Sequence, residues 1–141
     1  MSDDLIAFLG SQRRGVLVTL KRDGRAQLSV VGHHLDPATR TLRISVTDDR
    51  AKTRNLRRDP RATYMVKARD DSAYVVADGT AELGPVTTDP SDAAADDLVD
   101  LYRSLAGEHP DWDEFRAAMV EQRRLVLRIV IDHVYGATQG G

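Results

Sequence analysis

No cysteine occurs in the 141 residues, so disulfides, thiolate metal sites and a cysteine nucleophile are excluded. No apolar run reaches the roughly 18 residues of a spanning helix, and no charged-then-apolar leader opens the chain. The expectation is a soluble cytoplasmic protein. Neither sign of charge dominates, since 20 Lys and Arg stand against 22 Asp and Glu for a formal net charge of -2. A basic patch here is therefore local and not a field of the whole molecule, which weakens a nucleic-acid role. Aromatic residues are scarce, with one Trp, two Phe and four Tyr. None interleaves the basic run at 50–58, which leaves bases no platform on which to stack. No repeat or low-complexity linker divides the chain, and its length suits one domain with its own core.

The dominant pattern is an alternation of period two. Val16, Val18 and Leu20 share a face, as do Ala26, Leu28 and Val30 after the turn Arg22-Asp23-Gly24, so this segment is a hairpin. A third strand runs over Thr41–Thr47, and two more over Ala62–Val66 and Ala73–Ala77, the second able to continue to Leu83. Leu125–Ile131 is apolar on nearly both faces and reads as a central closing strand. Helical spacing appears at Leu5, Ile6 and Leu9, capped by Ser2 and stopped by Gly10. It recurs at Leu98, Leu101, Tyr102 and Leu105, and at Trp112, Phe115 and Met119 behind an Asp111/Glu114 capping box. Trp112 and Phe115 read as core or interface anchors in preference to a ligand cage. Strands joined mainly through hairpins, with helices outside, imply a small barrel or sandwich.

The stretch DDRAKTRNLRRDP, residues 48–60, reads as a short helix whose first turn carries Arg50 and Lys52, at the end where the dipole disfavours cations. At 100° per residue, Arg54, Arg57 and Arg58 fall within about 80° of Arg50. Lys52 lies about 160° from Arg50 and only about 40° from Leu56, the one large apolar residue of the helix. Arg57 and Arg58 complement the C-terminal end and need no ligand. Asp48 and Asp49 are available to pair with Arg50 or Arg54 and to cap the helix. The first-turn pair points instead to a phosphate-bearing ligand, which would meet free amides and cations together. Arg25, Gln27 and Ser29 on one strand, and Ser45 and Thr47 on another, present polar faces that suit solvent as well as a ligand. His33 and His34 are adjacent and face opposite ways, so they cannot chelate together, and no metal site is expected. His133 and Tyr135 share a face at the end of the closing strand, where they border a pocket or simply end a strand.

The run RAKTRNLRRDPRATYMV, between the hairpin GVLVTLKRDGRAQLSVV and SAYVVADGTAEL, resembles the pyridoxamine 5'-phosphate oxidase-like family of flavin and deazaflavin oxidoreductases. LYRSLAGEHPDWDEFRAAMV and the closing HVYG resemble its actinobacterial coenzyme F420-dependent branch. The likeness covers about Gly15 to Gly136. It implies a mainly β fold, a split β-barrel of the FMN-binding type with peripheral helices, as a single domain over 1–141 with 137–141 frayed. It further implies a homodimer with cofactor sites at the interface. Arg50 and Lys52 would hold the cofactor phosphate with Thr53 and Asn55 nearby; Arg25, Ala26, Gln27, Ser45 and Val46 would line the ring and ribityl chain; Tyr74 would come from the partner subunit. Arg25 and the Arg54/Arg57 stripe would attract the acidic glutamate tail of F420. The implied activity is hydride transfer from reduced F420 to an unsaturated acceptor, with FMN as the alternative cofactor and a non-catalytic F420 carrier as the alternative role. No side-chain nucleophile is required for such chemistry, and none is assigned. Ser72 stands beside Tyr74, where relatives can carry an aromatic, so substrate stacking there is not implied. The end at HVYGATQGG, without the extended segment of true pyridoxamine 5'-phosphate oxidases, argues against vitamin B6 as substrate.

Overall fold

The computed structural model describes residues 2–138. Helix α1 (Asp3–Ser11) is followed by β1 (Arg14–Leu20), β2 (Ala26–Gly32), β3 (His34–Asp36) and β4 (Thr41–Thr47). Then come α2 (Ala51–Arg58), β5 (Arg61–Lys67), β6 (Tyr74–Leu83), α3 (Ala93–Ala106), α4 (Trp112–Glu121) and β7 (Arg124–Ala137). The strands form one antiparallel sheet in the order β2-β1-β5-β6-β7-β4-β3, curled so that β2 and β4 touch without pairing. That is the mainly β split barrel. No helix among the described residues is long and apolar enough to cross a membrane.

The curl makes an interior from alternate residues of each strand. Leu17, Leu42, Ile44, Val46, Tyr64, Leu125, Leu127 and Ile129 fill it, closed by Ile6 and Leu9 of α1 and Leu56 of α2. Each such side chain removed from water contributes about 1.5–3 kcal/mol, which offsets much of the entropy of ordering the strands. Val126 points away from Leu125 and Leu127 and packs under Leu98 and Leu101 of α3, which explains why the closing strand is apolar on both faces.

The hairpin resolves a question that alternation leaves open. Leu17 and Thr19 are fully buried, whereas Val16, Val18, Leu28 and Val30 lie on the outer face of the barrel. The register extends that face sideways: Val30 pairs with Val16, Val16 with Met65, Met65 with Val76, and Val76 with Tyr135. Leu28 and Val30 are 59% and 69% exposed. An apolar row thus crosses β2, β1, β5, β6 and β7, exposed at its two ends at Val30 and Tyr135 and buried at Val76 in between.

Several boundaries differ from expectation. Helix α1 passes Gly10 and ends at Ser11, with Gly10 packed on Leu35. A short strand, β3, pairs with β4 through His34 and Arg43, a match too brief to show as alternation. Strand β7 runs six residues beyond Ile131, because the long β6 offers partners as far as Tyr74, opposite Ala137. Gly136 and Ala137 are therefore strand and not a frayed tail; residues 139–141 lie outside the described residues. The β6/β7 register shifts at Asp78/Gly79, where a Cβ on residue 79 would strike the Val130 carbonyl. His33 and His34 do face opposite ways. The His33 imidazole is buried against the Tyr64 hydroxyl and the Leu9 carbonyl, while Nδ1 of His34 accepts from Arg43.

Candidate functional site

Helix α2 is fastened to the barrel by more than Leu56. The Thr53 hydroxyl donates to the Thr47 carbonyl at 2.8 Å, and Asn55 Nδ2 donates to the buried Thr19 hydroxyl at 3.1 Å. At the far end Arg58 donates to the Leu20 carbonyl and to Asn55 Oδ1. These bonds hold the helix by its inner side and its C-terminus. Its N-terminus is left open: the N-cap residue is Arg50, in extended backbone, with no side-chain cap. Neither Asp48 nor Asp49 caps the helix or pairs with Arg50 or Arg54. Asp48 is instead taken by Arg57 and Arg123, each at 2.7 Å, because a carboxylate there reaches the last turn of α2 and the start of β7. These cations hold its carboxyl below the usual range.

Three cations consequently meet at that end without a carboxylate. Lys52 is half-buried, and burial, followed by the charges of Arg50 and Arg124, lowers its pKa from the ordinary 10.5. Arg124, which the register places opposite Thr47, is likewise lowered by burial and then by Arg50. Its Nε donates to Gln122 Oε1 at 2.7 Å and its Nη1 to Ser45 Oγ at 3.2 Å. Like charges gathered around free amides, with no carboxylate partner among the described residues, are suited to an anion: a phosphate would relieve the repulsion and satisfy the amides together.

Beside it lies a cleft of about 750 Å³ between α2 and the β1–β2 turn, lined by Lys21, Arg22, Asp23, Gln27, Ala51, Arg54, Asn55, Arg57 and Arg58. Gly24 allows that turn with φ of 85°. Among the described residues only Arg57 of the five cations has a carboxylate partner, so the groove keeps a local positive field in a chain of net negative charge.

The sequence-derived residues divide accordingly. Arg50 and Lys52 lie together at the open end of α2, and Ser45 joins them through its hydrogen bond with Arg124. Gln27 and Asn55 line the adjoining groove, while Arg25 sits at its edge in the turn before β2. Thr53 is fully buried and Val46 is 1% exposed, so within the fold both side chains serve the barrel. Ala26 lies on the outer face with Leu28. Tyr74, exposed at the start of β6, pairs with Ala137, thirteen residues along β7 from Arg124 of the cation cluster, or about 40 Å of extended strand. Within one chain it cannot join the others. Arg124 was not visible as a site residue, since the only hint is a charge at the head of an apolar strand, and register alone carries it beside Lys52. Among the described residues no cluster of three or more His, Cys, Asp or Glu could hold a metal.

The family model of pyridoxamine 5'-phosphate oxidase matches residues 1–137. The chain belongs to that family. Within the pyridoxamine 5'-phosphate oxidase family it is similar to an F420H(2)-dependent biliverdin reductase of Mycobacterium tuberculosis (strain CDC 1551 / Oshkosh), 25% identical over 137 residues that span 97% of this chain and 88% of the relative. A solved F420 reductase superposes with a TM-score of 0.66 at 21% identity, covering 96% of this chain and 98% of its own. A FAD-binding protein of Mesorhizobium loti superposes with 0.67 at 18% identity, covering 96% and 94%. At such identities the two structures share the fold.

Proposed function

We propose that this member of the family is an oxidoreductase that uses reduced coenzyme F420 to deliver a hydride to an unsaturated organic acceptor. The observation that carries the reading is the open N-terminus of α2 with Arg50, Lys52 and Arg124 around it and no carboxylate to neutralise them. The donor set fits a cofactor phosphate. Arg50 and Lys52 hold it with Arg124 as the third cation, and Thr53 and Asn55 keep the helix in place beneath it. Arg25, Ala26, Gln27 and Ser45 would border the ring and ribityl chain; Val46 would have only its main chain to offer, since its side chain is in the core. Bound reduced F420 supplies the hydride, so no side chain need act as nucleophile. Solvent supplies the proton that completes the reduction.

The basic groove favours F420 over FMN. A flavin mononucleotide ends at its phosphate, whereas the glutamate tail of F420 continues as an anionic chain, and Arg54 and Arg58 in the groove have no carboxylate of their own. The apolar face left open at β2 supports a homodimer, and a second copy docked there is the means of bringing Tyr74 to the cofactor of its partner. The biliverdin reductase activity of the mycobacterial relative is in line with this reaction class.

The deciding experiment titrates F420 and FMN against the wild type, Arg50→Ala and Lys52→Ala. Each variant weakens binding of the preferred cofactor by about tenfold or more, the loss of one charge-assisted contact. If neither variant moves the affinity for either cofactor by more than about twofold, the phosphate assignment is wrong. Oxidation of reduced F420 across a panel of enones and conjugated heterocycles then separates an enzyme from a carrier, which would bind tightly and turn nothing over.

A further inference from the structure

A second cavity, of about 350 Å³, lies under α3 and α4 on the outer side of β4 and β7. Its walls are apolar, with Leu101, Leu105, Phe115 and Met119 among them, and its floor is polar, with Ser45 and Arg124. The size is at the low end of the roughly 300–1,000 Å³ that holds small organic ligands. Resting on the F420 reading above, we propose that this cavity receives the hydride acceptor, and that the acceptor is a flat apolar molecule bearing one anionic group.

Three observations converge on that chemistry. Helix α4 buries no residue completely: Phe115 and Met119 pack against Leu98, Leu101 and Val126 on one side and border the cavity on the other. Two aromatic rings stand in the wall, Tyr102 and Phe115, with centroids 5.1 Å apart, which suits an apolar, aromatic partner. Arg124 supplies the charge. The other arginines beneath α3 are neutralised, Arg128 by a two-bond pair with Asp97 and Arg43 by Asp100, whereas among the described residues Arg124 has no carboxylate partner and its Nη2 no acceptor.

Position links this cavity to the chemistry. Ser45 and Arg124 belong both to its floor and to the cation cluster at α2, so an acceptor seated there borders the proposed cofactor path without entering the basic groove. A reduced deazaflavin, if bound, would supply a hydride that forms a C–H bond at the unsaturated carbon of the acceptor. The cofactor is thereby oxidised by two electrons, the acceptor is reduced by two, and a solvent proton closes the adjacent atom.

The test uses 2-naphthoate and 2-naphthamide, which share shape and differ in charge, on the full chain with 13C-labelled methionine methyls. Met119 reports the cavity and Met65, on the outer apolar face, reports adventitious association. Naphthoate is expected to shift Met119 and not Met65, and to bind at least about fivefold more tightly than naphthamide. Arg124→Gln erases that preference. Leu105→Trp fills the cavity and abolishes binding of both probes while F420 affinity stays within about twofold. Shifts at Met65 alone, equal affinity for the two probes, or retained binding in Leu105→Trp overturns the proposal. F420 turnover with no naphthoate binding sinks this inference and spares the cofactor reading. Naphthoate binding with no F420 or FMN binding does the reverse for the cofactor reading.

Discussion

Lys52 carries the largest conflict between stability and function at the scale of single residues. Its ammonium is half-buried, has no hydrogen-bond or ion-pair partner among the described residues, and lies in the field of two arginines. Because the folded pKa is below 10.5, the protonated form is penalised in the native state and not in the unfolded one. The penalty is full below the folded pKa and disappears as pH rises past 10.5. Lys52→Gln is therefore expected to raise the thermal midpoint of the ligand-free protein at pH 7, by about 1–3 °C after allowing for solvent screening, while weakening cofactor binding. Scanning calorimetry at pH 7 and pH 11 checks it. A gain of equal size at both pH values would mean that charge is not the cause.

At the scale of elements, α2 and α3 show two ways to begin a helix. Asp92 caps α3 by accepting from the backbone N–H groups of Thr88, Asp89 and Ala95 and from the Thr87 hydroxyl. Those backbone donors lower its pKa to about 2 from 3.8. Helix α2 has no such cap, so its amides remain free for a ligand. The depressed value means that Asp92 stabilises the fold above pH 3.8, a contribution lost as pH falls through about 2. Asp92→Asn should lower the thermal midpoint at pH 7 and show a shallower acid-induced fall between those two pH values, followed by circular dichroism. Since α3 roofs the cavity with Leu101 and Leu105, the same variant should also weaken naphthoate binding.

For the whole molecule, the outer face of the sheet is covered by α3 over Val126 but left open at β2, where Leu28 and Val30 are exposed. Stable protein interfaces bury about 800 Å² per partner, and a face crossing five strands is of the extent such an interface needs. Val30→Asp places an unpaired carboxylate on the open part of that face without touching the barrel interior. If the proposed homodimer forms through this face, sedimentation is expected to turn from dimer to monomer with unchanged circular dichroism, and cofactor affinity to fall with the loss of the proposed partner contribution of Tyr74. A wild type that sediments as a monomer at tens of micromolar would remove the dimer from the reading.

Local rules reached a long way into this chain. Periodicity, turn residues and the lone Leu56 determined the strands, the helices and the inward lean of Lys52, since these depend on neighbours a few residues apart. The open first turn of α2 was legible as a charge conflict for the same reason. Long-range register decided the rest. Only pairing of β4 with β7 puts Arg124 opposite Thr47 and within the field of Lys52, and only the curl of the sheet leaves Leu17 inside and Val30 outside. A one-residue shift in either would exchange those faces, and no pattern within a single strand specifies which partner it meets.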